Sequence, residues 1–285
     1  MHSIVQLNST AIQTSAAIFT VDPATGRWLP SPLAAGPFAG LQGGAVAGLL
    51  TAQIEAAAAE NAWGQAVTGA AWFLRPTPMA PLRSQVSVLR AGGRICVVDN
   101  TLWVDGVDEP TASVRVTLMR GRPIKVDGWK ERQSAALDPS MLPRVERRAP
   151  HGRPWFMDAM EARLGGETTW FRLRAPVIDG AGPLSRVMGP ADWAHGLSRP
   201  VSGVVADPNP NLTVQLVRPP RGDWIGVRSS TLWEPVTASG GANGTLFDVR
   251  GEIGSVSMAV ALMPFPSEQP APAREILRSP SGAGA

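Results

Sequence analysis

The sequence predicts an α+β protein made of two tandem copies of one unit, each a helix followed by an antiparallel sheet. Three observations carry that reading. The run "GGAVAGLLTAQIEAAAAENAWG" has apolar residues at helical spacing. Behind it lie alternating, β-branched segments separated by glycine-bearing turns. Short matches then recur down the chain at a nearly constant offset, the mark of a repeated fold.

In the first element, Val46, Leu49, Leu50 and Ile54 share one helical stripe, and alanine fills the gaps with the best helix former. Gly64 supplies a stop, which gives one largely buried helix of about 18 residues. The strands follow in order: "AVTGAAWFLRP", "PLRSQVSVLRAG", "GRICVVDNTLWVDG" and "TASVRVTLMR". In the last of these, Val114, Val116 and Leu118 face one side and Arg115, Thr117 and Met119 the other. "AGG" and "VDGVDEP" read as hairpin turns.

The second half repeats the pattern with "TTWFRLRAPV", a short helical stretch in "GPADWAHGLSRPV", then "NLTVQLVRPP", "DWIGVRSSTLWEPV" and "GSVSMAVALMP". "TLWVDG" at Thr101 matches "TLFDVRG" at Thr245, and "VTLM" at Val116 matches "VALM" at Val260, both 144 residues apart. "FLRP" at Phe73 and "LVRP" at Leu216 lie 143 apart. The expected units are residues 1–122 and 154–266, joined by a charged, proline-bearing linker over 123–153. Residues 267–285, rich in proline, serine and glycine, are expected to be a disordered tail.

Composition removes several function classes. The single cysteine, Cys96, excludes an intramolecular disulfide framework and any multi-cysteine metal site. Set in "RICVVDN", it reads as a small buried hydrophobe. Of the three histidines, His2, His151 and His195, no two have metal-ligand spacing, so no metal and no cofactor are expected. The net charge is +3 with scattered arginines, which gives no nucleic-acid footprint. A loose cluster of Arg144, Arg147, Arg148 and Arg153 reads either as a solvent face or as a rim for ligand phosphates. The apolar run is broken at Gln53 and Glu55, so no membrane span is expected. With no secretory signal read at the N-terminus, the expected location is cytoplasmic.

Gly43 and Gly44 open the helix, where backbone amides can meet an anion or a polarised carbonyl and glycine permits close approach. Their other reading is tight packing alone. The run lacks both nucleotide-loop patterns, Gly-x-x-x-x-Gly-Lys and Gly-x-Gly-x-x-Gly. Most of Trp72, Trp103, Trp170, Trp224 and Trp233, all in strand-like runs, are expected in the core.

The helix, the stretch "WFLRPTPMAPLRSQVSVLRAGGRICVVDNTLWVDG", and "ADWAHG", "PNPNLTVQLVRPPRGDWIGV" and "LFDVRGEIGSVSMAVALM" together resemble the acyl-CoA thioesterase II family over residues 30–264. The resemblance implies a double hotdog, in which each sheet wraps a central helix and the sheets join edge to edge. It implies hydrolysis of a fatty acyl-CoA without a cofactor, and a possible homo-oligomer. In that family an aspartate on the second helix, a hydroxyl residue on a following strand and a glutamine on the last strand hold the attacking water. Asp192 matches the aspartate, Asn209 falls at the hydroxyl position, and Met258 falls at the glutamine.

Methionine cannot orient a water as an amide does. This departure motivates an alternative, an acyl-CoA-binding hotdog protein with weak or no hydrolysis. Ser257 is adjacent but should face away unless the register shifts by one. The expected oxyanion donors are the amides near Gly43 and Gly44. Trp193, beside Asp192, either lines an acyl slot or packs. His195, three residues on, either pairs with Asp192 as a base or caps its helix. Asp192 has its own plain reading as an N-cap. A hydratase on this scaffold would need a histidine on the first central helix, which has none.

Overall fold

The computed structural model describes residues 17–130, 137–145 and 152–265. Arg147, Arg148, His151 and the expected tail over 267–285 lie outside the described residues. The first half contains β1 (Phe19–Val21), β2 (Trp28–Pro30), α1 (Gly43–Glu60), β3 (Gln65–Phe73), β4 (Leu82–Ala91), β5 (Ile95–Val104) and β6 (Ala112–Met119). The second contains β7 (Met160–Gly165), β8 (Thr168–Leu173), α2 (Pro183–Asp192), α3 (Ala194–Leu197), β9 (Asn211–Leu216), β10 (Trp224–Glu234), β11 (Ser239–Asp248) and β12 (Gly251–Ala261).

All the strands join one antiparallel sheet in the order β1-β2-β4-β5-β6-β3-β9-β12-β11-β10-β8-β7. That order reads the same from either end once the two halves are equated. β3 corresponds to β9, β6 to β12, β5 to β11, and β4 to β10. The joint is the β3–β9 pair, with Thr68 opposite Gln215 and Trp72 opposite Asn211. Pairing two inner edges in this way removes two exposed rows of backbone groups.

Pairing registers test the repeat residue by residue. Thr101 lies opposite Ser113, and Ser113 opposite Trp72; Thr245 lies opposite Ser255, and Ser255 opposite Gln215. The Thr101/Thr245 and Phe73/Leu216 matches therefore mark equivalent positions on β5/β11 and β3/β9. The Val116/Val260 match is displaced by two residues. Val116 pairs with Val98, and the residue 144 after Val98 is Ala242, which pairs with Met258 rather than Val260. A shift of two keeps the side chains on the same face, so the likeness of "VTLM" to "VALM" reflects shared alternation and not register.

The α1 helix spans 18 residues, and its C-cap is Asn61 rather than the expected Gly64. Gly64 has φ +94° in the turn into β3, where a side chain would strike the Met119 carbonyl. Leu49, Leu50 and Ile54 are fully buried, as are Leu184, Val187 and Met188 of α2. Each such side chain contributes about 1.5–3 kcal/mol of burial.

The two helices lie against each other at Gly44. A Cβ on that residue would come within 2.9 Å of the Gly189 Cα. They are antiparallel, and each supplies a carboxylate to the other's N-terminus. Glu55 of α1 accepts from the amides of Leu184 at 2.8 Å and Ser185 at 2.9 Å. Asp192, the last residue of α2, accepts from the Gly44 amide at 2.9 Å. The partial positive charge of each helix start is met by the opposite hotdog.

The tryptophan expectation holds for Trp170 and Trp224, which are buried. It fails for Trp72, which is 44% exposed on the outer sheet face, and Trp103 is covered in part by the Arg83 guanidinium at 4.5 Å.

Candidate active site

The site forms where the start of α1 meets the end of α2. The N-cap of α1 is Gln42, whose backbone is extended at φ −75°, ψ 135°. Its side-chain Oε1 accepts from the Ala45 amide at 2.9 Å, satisfying one of the orphan donors of the first turn. Its Nε2 then points across the hotdog boundary and donates to Asp192 Oδ2 at 2.5 Å. The amide pair of Gln42 cannot be reversed without setting its oxygen against a carboxylate.

Asp192 is placed by the way α2 ends. Pro190 has no amide to give the helical ladder, and the helix stops two residues later, before the single turn of α3. The carboxylate is 2% exposed. Its Oδ2 accepts from Gln42 and Gly44, and its Oδ1 accepts from Asn209 Nδ2 at 2.7 Å. Burial pushes its carboxyl above the ordinary carboxylate range, while His195, Asn209, the Gly44 amide and Gln42 pull it back in part. Asp192 is therefore not the N-cap of its own helix, because it sits at the C-terminal end and serves α1 instead.

Asn209 lies just before β9 and also donates to the Asn211 carbonyl at 3.1 Å. Its Oδ1 takes no hydrogen bond from the described residues. Gly43 is the first residue of α1, and its amide has no partner among the described residues. A Cβ at Gly43 would fall 2.9 Å from Phe73 Cζ and 3.3 Å from Asp192 Oδ2. Glycine there lets the Phe73 ring and the Asp192 carboxylate converge on the helix start. The adjacent Gly44 does both things expected of it in part, since it packs tightly and its amide meets an anion. That anion is the protein's own carboxylate.

His195 does not pair with Asp192. Its Nδ1 is 3.2 Å from Asp207 Oδ2, and Arg199 clamps the same carboxylate with Nε at 2.5 Å and Nη2 at 2.7 Å. The reason is geometric: α2 ends at Asp192, so the one-turn spacing that would align the two side chains on a continuous helix is broken. Burial opposes ionisation of Asp207, but the bonds to His195 and Arg199 outweigh it and hold the carboxyl below its usual range. Trp193 stands edge-on to Trp155, with ring centroids 5.6 Å apart and planes at 85°. Both rings are at least nine-tenths buried.

Met258 lies on the inner face of β12, opposite Ala242, and is 5% exposed. Ser257 faces the other way, and the pairing irregularity of this hairpin falls at Leu246/Phe247, away from Met258. None of the hydrogen bonds to Asp192 comes from β12. The structure thus gathers Asp192, Asn209, Gly43 and Gly44, and adds Gln42 and Phe73, which the sequence reading missed. A signal for Gln42 existed: glutamine is not among the favoured N-cap residues, yet it precedes the glycine pair.

Among the described residues no three His, Cys, Asp or Glu side chains are grouped to hold a metal ion. No described helix is long and apolar enough to cross a membrane.

Comparison with known proteins agrees with this architecture. Residues 31–120 match the family model of the acyl-CoA thioesterase N-terminal domain. No curated protein sequence matches significantly. A candidate thioesterase II from Thermobifida fusca superposes with a TM-score of 0.63 at 17% identity, covering 86% of this chain and 96% of its own. A candidate thioesterase from Novosphingobium aromaticivorans gives 0.62 at 19% identity, with 87% and 99% covered. The acyl-CoA thioesterase II TesB2 of Mycobacterium marinum gives 0.54 at 18% identity, with 79% and 91% covered. At such identities the structural likeness establishes the fold, and the family model names the first unit. The chain has the double-hotdog fold, and its residues 31–120 match the acyl-CoA thioesterase N-terminal domain.

Proposed function

We propose that this protein hydrolyses a fatty acyl-CoA to the free acid and CoA, using a water held by Asp192 and Asn209. The observation that carries the proposal is the buried Asp192 carboxylate at the start of α1, with one acceptor position of Oδ1 left after Asn209 is bonded. A water donating one proton to that position and the other to Asn209 Oδ1 would present its lone pair to a thioester carbonyl. The water oxygen bonds to the carbonyl carbon and its proton passes to Asp192. The C–S bond then breaks, the acyl group leaves as the acid, and the thiolate takes up a proton to give CoA. A carboxyl raised by burial is a better base near neutral pH than an exposed one.

The carbonyl oxygen needs a donor that is not already used. Gly44 spends its amide on Asp192, so we assign the oxyanion to the Gly43 amide, with Phe73 as one wall of the slot. His195 and Trp193 support the site from behind through Asp207 and Trp155. Met258 contributes apolar lining.

Acyl-CoA is the partner proposed for this site, in a cytoplasmic setting, with the units bounded at 1–122 and 154–266 as the sequence suggests. Hydrolysis is favoured over binding alone because the buried Asp192 carboxylate keeps an acceptor position on Oδ1 beside Asn209 for a water. Thiol release from acyl-CoAs of graded chain length tests the reading. Release that depends on Asp192 supports it, and no release from any chain length refutes it.

A further inference from the structure

We infer that Gln42 is a positioning residue for hydrolysis: its carboxamide, delivered from the first hotdog, holds Asp192 of the second in the rotamer that leaves Oδ1 to the water. This rests on the hydrolytic reading above for its kinetic meaning, but not for its geometry.

Gln42 is anchored at every polar atom. Its backbone amide donates to the Ala34 carbonyl at 2.9 Å, and its backbone carbonyl accepts from Ala45 and Val46. Its Oε1 is fixed by the Ala45 amide, so Nε2 has one direction available, toward Asp192 Oδ2. The residue is only 7% exposed, so water does not replace the donor readily. Gly36 sits close behind it, where a Cβ would lie 3.3 Å from the Gln42 Cα. A buried carboxylate takes its orientation from its donors, and Gln42 and Gly44 together define which oxygen is spent on the protein.

Other charges near Asp192 do not duplicate this. His195 lies one turn on but bonds Asp207, which Arg199 also clamps. Glu55 serves the far end of the helix pair, at the start of α2. The α1 face contributes the Gly44 amide and the β9 side contributes Asn209. The side-chain amide on Asp192 Oδ2 thus comes from an N-cap 150 residues upstream. Neither hotdog holds the whole site.

The test uses the full chain with Gln42→Ala and Gln42→Glu. The Asp192 carboxyl is titrated by its ¹³C signal, assigned with Asp192→Asn, alongside kcat and KM against pH. Loss of the donor should move the Asp192 midpoint upward. At neutral pH it should lower kcat about tenfold with KM within about twofold, the size expected for one hydrogen bond to a charged group. Activity should recover as pH rises. Gln42→Glu, which sets a second carboxylate against the first, should move the midpoint further in the same direction and serves if the alanine variant does not fold.

A midpoint that stays put in a folded variant overturns the inference, even if thermal stability falls, and leaves the Asp192-dependent hydrolysis standing. A midpoint that moves in a protein that hydrolyses no acyl-CoA supports the positioning role and refutes the hydrolytic reading.

Discussion

The Gly44 amide donates to Asp192 Oδ2 at 2.9 Å across 148 residues of chain. This bond joins the start of the first central helix to the end of the second. It makes the site a product of the interface between hotdogs. The same carboxylate that caps α1 is the base proposed to activate water, so the proposal couples packing and chemistry at one side chain.

That coupling predicts the effect of filling the crossing. A Cβ at Gly44 would lie 2.8 Å from Asp192 Cβ and 2.9 Å from Gly189 Cα, and backbone cannot yield as a side chain end can. Gly44→Ala should cost about 1–3 kcal/mol by overpacking. It should also lower kcat by displacing Asp192. Urea unfolding and thiol-release kinetics on the same preparation check both.

Gly43→Ala should separate the two effects. Its Cβ meets the end of the Phe73 ring at 2.9 Å, and the ring can tilt away. Stability should fall by less than at Gly44, while kcat falls because the ring or methyl crowds the assigned oxyanion position. Pairing it with Phe73→Leu should restore part of the rate, read by steady-state kinetics.

The pH dependence follows from the environment of Asp192. Its carboxyl is raised in the fold by burial, so the base form is gained, and kcat/KM should rise, as pH passes upward through that raised value. The stability sign is opposite. A group raised above its unfolded value of 3.8 contributes fully below that value and loses the contribution as pH rises through the folded one. Asp192→Asn should therefore melt no lower than the wild type at neutral pH, with the difference shrinking toward acid. Calorimetry across the pH range reads this directly.

Asp248 predicts the reverse. It is 1% exposed and accepts from the Arg218 guanidinium and the amides of Arg221 at 2.7 Å and Arg250 at 2.8 Å. Burial opposes ionisation, but these donors win and hold the carboxyl below 3.8. Its contribution is present above that value and is lost as pH falls through the depressed one. Asp248→Ala should cost about 3 kcal/mol by removing the buried acceptor that Arg218 and the amides of Arg221 and Arg250 share. Chemical denaturation near neutral pH and below pH 4 checks the size and the loss.

Much of the architecture was legible in the sequence because it rests on periodicity. Val46, Leu49, Leu50 and Ile54 mark α1, and the alternation at Val114, Val116 and Leu118 marks β6. The repeat held in register for β5/β11 and β3/β9, through the Thr101/Thr245 and Phe73/Leu216 matches. It slipped by two on β12, where alternation alone makes "VALM" resemble "VTLM". The three-residue β1 and β2 were too short to show a period at all.

The site was legible only as far as single residues carry chemistry. Asp192 and the glycine pair stood out locally. The partner of His195 did not, because the break after α2 turns it toward Asp207, and neither residue signals that break alone. Gln42 was hidden for a similar reason. Its role depends on a neighbour brought in by tertiary packing, and its own surroundings in sequence read as an ordinary helix start.

The most direct test of the central claim is thiol release at neutral pH by wild type and by Asp192→Asn, on the acyl chain length that binds best, with binding measured separately by thermal shift. The account predicts that Asp192→Asn keeps its fold and its affinity within about twofold while kcat falls by roughly 10²–10⁴-fold, the range for loss of a positioned general base. Equal rates in the two proteins would contradict it.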